Sequence, residues 1–249
     1  MPTLFKEQLD KALESIKDKD PLVSYERIIV RYVDFQYNVS CSFAGLIAGG
    51  LFHKRGAVSQ IIFNAFLSNL YHFHAATELN KRRLHGSVPP ILRLAYEGLL
   101  IAKFCSLSPA IELFERWQQG DPRISLNRDV FQRIRSPDVT GLRQLWRELC
   151  SVTHFSTYSG QPYIQPELVE KQVRENYAVL VMLLLMNEHL LRMHLMDRSI
   201  LYYLNRYAPD ESWHRALKRL REATKTVKPI ISKAGRKVVN DFGRKWLVS

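Results

Sequence analysis

Apolar residues recur along the chain with the period of roughly 3.6 residues that is typical of α-helices, and no convincing strand-like alternation is present. Turn-forming residues interrupt this pattern at Asp20-Pro21, Gly49-Gly50, Gly86 with Pro89-Pro90, Gly120-Asp121-Pro122, Ser136-Pro137 and Gly160-Gln161-Pro162. The helical segments between the breaks are residues 4–18, 22–50, 57–84, 88–106, 109–119, 125–135, 137–155, 167–206 and 211–227, with a weaker basic stretch to the end. The pattern therefore predicts an all-α fold, a helical bundle of about eight helices.

The two ends of the chain differ from its middle. The N-terminal segment, residues 1–20, is polar and predicts an exposed helix with Leu4, Leu9, Leu13 and Ile16 near one face. Residues 211–249 carry eleven Lys or Arg and only three Asp or Glu. This composition indicates a basic amphipathic C-terminal extension outside the bundle core, so we predict a bundle over residues 1–206 and an extension over 207–249.

The helix from Pro89 to Cys105 is apolar on all sides and is therefore expected to be central and buried. Its Arg93 and Glu97 are one turn apart and share a face. Two interpretations stay open for this pair: a network that orients a functional histidine, or an ion pair that fixes helix register. If the pair is fully buried, loss of either partner is expected to lower the free energy of unfolding by roughly 3–5 kcal/mol.

The helix over residues 137–155 carries an apolar stripe with a line of cations beside it. Leu142, Leu145, Trp146, Leu149 and Val152 form the stripe on a helical projection of about 100° per residue. On the same projection, Arg143, Arg147 and His154 fall within about 40° of one another. We expect the stripe to pack on the bundle and the cations to flank it.

Composition narrows the class of protein further. The chain has 46% apolar residues and a formal net charge of +12, which favours anionic or phosphate-bearing partners. Its three cysteines exclude a disulfide framework and a paired-cysteine metal site, and fit a reducing cytoplasm. The most apolar run, Ala178 to Met186, is shorter than the roughly 20 residues of a membrane span. We expect a cytoplasmic protein with no membrane span, no cofactor and no metal.

The segment Arg147-Glu-Leu-Cys-Ser-Val-Thr-His154 resembles the arginine–histidine motif of the HEPN superfamily, helical proteins that include metal-independent endoribonucleases. Arg93-Leu-Ala-Tyr-Glu97, followed later by Ser151-Val-Thr-His154, is similar to an uncharacterised bacterial family with an Arg-x-x-x-Glu helix and a later Ser-x-x-His helix. The resemblance covers about residues 57–195 and implies a HEPN-like core within about 57–206. Glu148 follows the arginine directly, and an acidic neighbour is expected to weaken the attraction of Arg147 for phosphate.

The resemblance implies an RNA-directed protein and a metal-independent endoribonuclease of toxin or antiviral-defence type, working as a homodimer. His154 is then the acid–base group, Arg147 the phosphate anchor and Arg143 an auxiliary cation, with Ser151, Arg93 and Glu97 in structural or orienting positions. Further RNA contacts are expected from Lys218, Arg219, Arg221 and Lys225. In the alternative structural interpretation, His154 caps its helix and Arg147 pairs with a carboxylate such as Glu97.

A non-catalytic helical scaffold that dimerises and binds a protein or nucleic-acid partner is the competing class of function. A third possibility, a basic helix on an anionic membrane surface, depends on the last forty residues alone.

Overall fold

The structure is a computed structural model that describes residues 26–37, 57–107, 111–135, 139–153, 166–195 and 212–246. These residues contain nine α-helices and no β-strand, which confirms the predicted all-α fold. In chain order the helices are α1 (26–37), α2 (Ala57–Lys81), α3 (Val88–Leu107), α4 (Ile111–Gln118), α5 (Leu126–Asp129), α6 (Val139–Thr153), α7 (Pro166–Leu195), α8 (Ser212–Val227) and α9 (Lys233–Gly243). The predicted N-terminal helix over residues 4–18 lies outside the described residues.

The predicted helix over residues 125–135 is wrong in one respect. The structure has a single α-turn, α5, followed by a 3₁₀ turn over Phe131–Arg133. The helix breaks at Val130, whose φ of −123° and ψ of −66° are not helical. The Asp129 carboxylate also accepts a hydrogen bond from the backbone N–H of Ser125 at 2.7 Å, a local bond that spans the short segment.

Helix α3 occupies the centre of the bundle, as its sequence predicts. It packs against α2, α4, α6 and α7, and its residues from Leu99 to Cys105 are all buried. The apolar run of α7 is the other main contributor, with Leu180 to Met186 buried. Within the described part of the chain, no helix has the length and apolar character needed to cross a membrane.

A layer of buried amides joins α1, α2 and α7. The Asn69 side chain donates to the Asn187 carbonyl oxygen at 3.3 Å, and the Asn187 amide donates to the Gln36 side-chain oxygen at 3.3 Å. Gln36 in turn donates to the Leu184 backbone carbonyl at 3.0 Å. Because each of these buried groups finds a partner, the layer fixes the relative register of the three helices instead of destabilising the core.

The C-terminal segment is basic, helical and amphipathic, but its predicted place outside the core is wrong. Phe242 and Trp246 are buried in the same apolar core as α3 and α7. The ammonium of Lys103, on α3, donates to the Arg244 backbone carbonyl at 2.8 Å and lies 4.6 Å and 4.3 Å from the centroids of these two rings. The carbonyl oxygen and the two ring faces replace part of the water that the ammonium loses on burial.

The imidazole of His189, on α7, is the second group that holds this end of α9. Its Nε2 lies 2.8 Å from the Gly243 carbonyl oxygen, and its ring meets that of Phe242 edge to face. We call Lys103, His189, Phe242 and Trp246, together with the two carbonyls, the C-terminal clasp. The clasp attaches the last described residues to the centre of the bundle.

Lys103 makes the stability of the fold depend on pH. Burial lowers the pKa of Lys103 to about 7, from an ordinary value of 10.5. Between pH 7 and pH 10.5 the Lys103 side chain is protonated in the unfolded chain and neutral in the folded chain. Because the unfolded chain binds one more proton there, the free energy of unfolding rises with pH in this interval and is independent of this group below it. Chemical denaturation is expected to give a free energy of unfolding roughly 1–2 kcal/mol higher at about pH 8.5 than at about pH 7.

The matched control is Lys103→Met, which has a side chain of similar length and no proton to release. Burial also raises the pKa of the Cys105 thiol, to about 12. Above about pH 9 this shift lowers the free energy of unfolding as the pH rises, which opposes the effect of Lys103. The comparison is therefore confined to the lower pH range. If the free energy of unfolding rises equally with pH in the wild type and in Lys103→Met, the pH dependence does not come from Lys103.

Candidate functional site

Helix α6 carries the predicted cationic line, and its apolar stripe is buried as expected. Leu142, Leu145 and Leu149 are buried, while Trp146 and Val152 are half-buried beside them. The Tyr96 hydroxyl of α3 donates to the Leu142 carbonyl oxygen at 2.8 Å. One turn further along, the Trp146 indole N–H donates to the Glu97 carboxylate at 3.3 Å. These two bonds set the rotation of α6 about its own axis.

With α6 held in this orientation, Arg143 and Arg147 line one groove on its outer side. The groove encloses about 380 Å³ between α6 and the 3₁₀ turn that precedes it. We call it the arginine groove, and its walls are formed by Phe131, Ile134, Val139, Thr140, Arg143, Gln144 and Arg147. The structure thus brings together two of the three predicted cations of this helix. The third, His154, lies outside the described residues.

Arg143 is held in place by an aromatic contact. Its guanidinium carbon lies 5.6 Å from the centroid of the Phe131 ring, and Phe131 packs against Trp146 at 6.0 Å between centroids. The Arg143 Nε atom is buried and has no hydrogen-bond partner among the described residues. No described residue therefore competes for this donor.

Arg147 is exposed at the open side of the groove. Among the described residues neither Arg147 nor Arg143 forms an ion pair, although the chain has many such pairs elsewhere. Glu97, the carboxylate considered as a partner of Arg147, instead accepts from Arg93 at 2.9 Å and from Trp146. Among the described residues, the arginine groove therefore holds two cations that no carboxylate pairs with.

Glu148 is not among the residues that line the arginine groove. Its carboxylate accepts a hydrogen bond from the Gln144 side chain at 3.0 Å and lines a second groove on the other side of α6. Adjacent residues of a helix point about 100° apart, which explains the separation. Ser151, the next predicted residue, is exposed and donates to the Glu148 backbone carbonyl at 2.8 Å.

The Arg93–Glu97 pair forms as predicted, but it is not fully buried. The Arg93 and Glu97 side chains are 32% and 19% exposed. The pair lies at the edge of the contact between α3 and α6, where only part of each charge loses water. Its expected contribution is therefore smaller than the value predicted for a buried pair.

The other predicted RNA contacts lie on α8. Lys218, Arg219, Arg221 and Lys225 are exposed, and Arg215 and Glu222 share this solvent face. The opposite side of α8 is anchored by Thr224, whose hydroxyl contacts Tyr32 and the buried carboxylate of Glu188. The face thus presents five cations and one carboxylate.

Sequence reasoning missed Phe131, Thr140 and Gln144 as parts of the arginine groove. The sequence could have identified Thr140 and Gln144, because their spacing places them with Arg143 and Arg147 in one polar stripe on α6. The sequence gives no such indication for Phe131, because this residue belongs to a separate turn that packs against the helix.

No family model, curated protein or solved structure matches this chain. Its class is accordingly defined by its own fold and site: in the part of the chain that the structure describes, it is an all-α protein with an open groove lined by two arginines that form no ion pair there.

The hydrogen bonds of Glu97 predict a measurable stability effect. Glu97→Ala removes the acceptor shared by Arg93 and Trp146, and is expected to lower the free energy of unfolding by about 1–3 kcal/mol. Glu97→Gln keeps an acceptor and is expected to cost less. Chemical denaturation of both variants measures the difference, and a Glu97→Ala variant as stable as the wild type would contradict a role in joining α3 to α6.

Proposed function

We propose that the protein binds RNA in the arginine groove and cleaves it without a metal, as a HEPN-like endoribonuclease of toxin or antiviral-defence type. The observation that carries the proposal is the convergence of Arg143 and Arg147 on one groove in which, among the described residues, no carboxylate pairs with them. Each step below follows from the chemistry of these groups.

The two arginines suit a phosphodiester. A guanidinium offers planar N–H donors that bind two oxygens of one phosphate, and it stays charged at every physiological pH. The Arg143 guanidinium lies over the Phe131 ring, while Arg147 lies at the exposed side. In this proposal, Arg143 binds the phosphate on the inner wall and Arg147 closes over it from solvent.

His154 supplies the proton transfer. It follows Thr153, the last residue of α6, and stands seven positions after Arg147 in the sequence. Its imidazole takes the proton of the 2′-hydroxyl, whose oxygen attacks phosphorus and expels the 5′ oxygen. In the proposed homodimer, His154 of a second copy protonates the leaving oxygen. The products are a 2′,3′-cyclic phosphate and a 5′-hydroxyl.

The exposed face of α8 extends the contact with the RNA backbone. Lys218, Arg221 and Lys225 lie within about 60° of one another on the helical projection, and Arg219 lies about 100° from Lys218. Cations arranged in this way attract phosphates without reading sequence. We assign to α8 affinity for RNA in general, and to the arginine groove the position of the cleaved bond.

The cleavage test uses the purified full chain with single-stranded RNA in EDTA. Products ending in 2′,3′-cyclic phosphate are expected, and His154→Ala should lower the rate by about 10²–10⁴ because acid–base catalysis is lost. Arg147→Lys should also reduce cleavage strongly, since an ammonium does not reproduce a bidentate contact.

The matched control is Arg174→Ala, which removes an exposed arginine of α7 whose ion-pair partner is Glu170. It should leave the cleavage rate unchanged, and melting curves should show that all variants are folded. Cleavage that persists in His154→Ala, or no cleavage of any RNA, would favour the alternative of a non-catalytic helical scaffold.

A further inference from the structure

A second groove lies on the other side of α6 and has a different chemistry. It encloses about 410 Å³, and α6 and α7 form its two walls. Helices α3 and α9 each pack against both of these walls. We call it the apolar groove, because its floor consists of Leu92, Leu145, Leu149, Val179, Met182 and Val238. A concave site of this volume with a mainly apolar lining is of the kind that holds small molecules.

The floor of the apolar groove suits the apolar part of a ligand. Leu92, Leu145, Leu149 and Met182 are buried, and Val179 is half-buried beside them. Apolar atoms that enter the groove lose contact with water, which favours binding in proportion to the area that they bury.

The two charged residues among those that line the apolar groove are both acidic. Glu148 of α6 and Glu175 of α7 belong to opposite walls, and no Lys or Arg is among the described lining residues. Both carboxylates are exposed. Glu148 forms no ion pair with a described residue, whereas Glu175 has the Lys171 ammonium at 4.0 Å. The lining is therefore negatively charged, although the chain as a whole has a net charge of +12.

The side-chain amides of the apolar groove already donate hydrogen bonds within the protein. Gln144 donates to the Glu148 carboxylate at 3.0 Å, and Gln172 donates to the Asn176 side-chain oxygen at 3.2 Å. The Asn176 amide donates into the core, away from the groove floor. The Ser232 hydroxyl oxygen caps α9 by accepting from a backbone N–H at 3.1 Å. Because a carboxylate accepts several hydrogen bonds, this rim favours a ligand that supplies donors.

We propose that the apolar groove binds a small-molecule amine with an apolar body, whose ammonium lies at the acidic rim. The ammonium brings three donors and a positive charge to Glu148 and Glu175, while the apolar body covers Leu145 and Leu149. A carboxylate of the same size would bring its charge close to two others of the same sign. The groove thus selects against the anions that the rest of the chain attracts. This inference does not depend on cleavage of RNA.

Three probes with the same eight-carbon chain test this preference for a positive charge. Octylamine, octanol and octanoate are cationic, neutral and anionic at neutral pH, and isothermal titration calorimetry of the full chain gives their Kd values. Octylamine is expected to bind at least about fivefold more tightly than octanoate, with octanol between them. The net charge of the chain acts in the opposite direction, so this order would come from the groove itself.

The contribution of the rim is tested by removing its charge. Glu148→Gln/Glu175→Gln is expected to raise the Kd for octylamine by at least about threefold and to leave the Kd for octanol nearly unchanged. The matched control is Glu112→Gln/Glu115→Gln, which removes the same charge from exposed positions of α4 outside the groove. It should leave the affinity for both probes unchanged.

The position of the bound probe is tested on α7. Val179→Trp fills the groove floor and should abolish binding of octylamine and octanol alike. Arg174→Trp places the same side chain at an exposed position of this helix outside the groove, and should leave binding intact. Melting curves identify any variant that fails to fold, and the rim variants then decide the question.

Four results would overturn the proposal. The first is no saturable binding of octylamine by the wild type, and the second is octanoate binding as tightly as octylamine. The third is octylamine binding that survives Val179→Trp in a folded protein, which would place the probe elsewhere. The fourth is an apparent Kd that rises with protein concentration, which would assign the groove to a second copy of the chain.

Discussion

The contact between α3 and α6 is the constraint on which the candidate site depends. Tyr96 and Glu97, neighbours on α3, bind successive turns of α6 through the Leu142 carbonyl and the Trp146 indole. Both bonds are directional, whereas apolar packing alone allows a helix to rotate by small angles. With the rotation fixed, Arg143 and Arg147 face one groove and Glu148 faces the other. A single helix thus separates a cationic surface from an apolar surface with an acidic rim.

The C-terminal clasp depends on the same kind of contact. In it, a buried polar group binds a partner that is far away in the sequence. Lys103 and Arg244 are joined although 141 positions separate them. Burying an ammonium is costly unless carbonyl oxygens and aromatic faces replace its water. Both replacements come from the end of α9, so the basic segment cannot be treated as a separate appendage. Its lysines and arginines are exposed, while Phe242 and Trp246 complete the core.

Local periodicity explains which features the sequence predicts and which it does not. The all-α fold, the central position of α3 and the cationic line of α6 follow from spacing within one helix, so they could be read from the chain. The burial of Trp246 and the partial exposure of Arg93 depend on neighbouring helices, and spacing within one segment carries no information about them. The same limit applies to Phe131, which enters the arginine groove from a different turn.

The most direct test of the central claim, that the arginine groove binds phosphate, is RNA affinity measured by fluorescence anisotropy in a His154→Ala background. Arg143→Ala/Arg147→Ala is compared with Lys171→Ala/Arg174→Ala, which removes the same charge from exposed positions of α7. The first pair is expected to raise the Kd for a short single-stranded RNA by at least about tenfold, and the second is expected to leave it nearly unchanged. Equal weakening by both pairs would contradict a dedicated phosphate site.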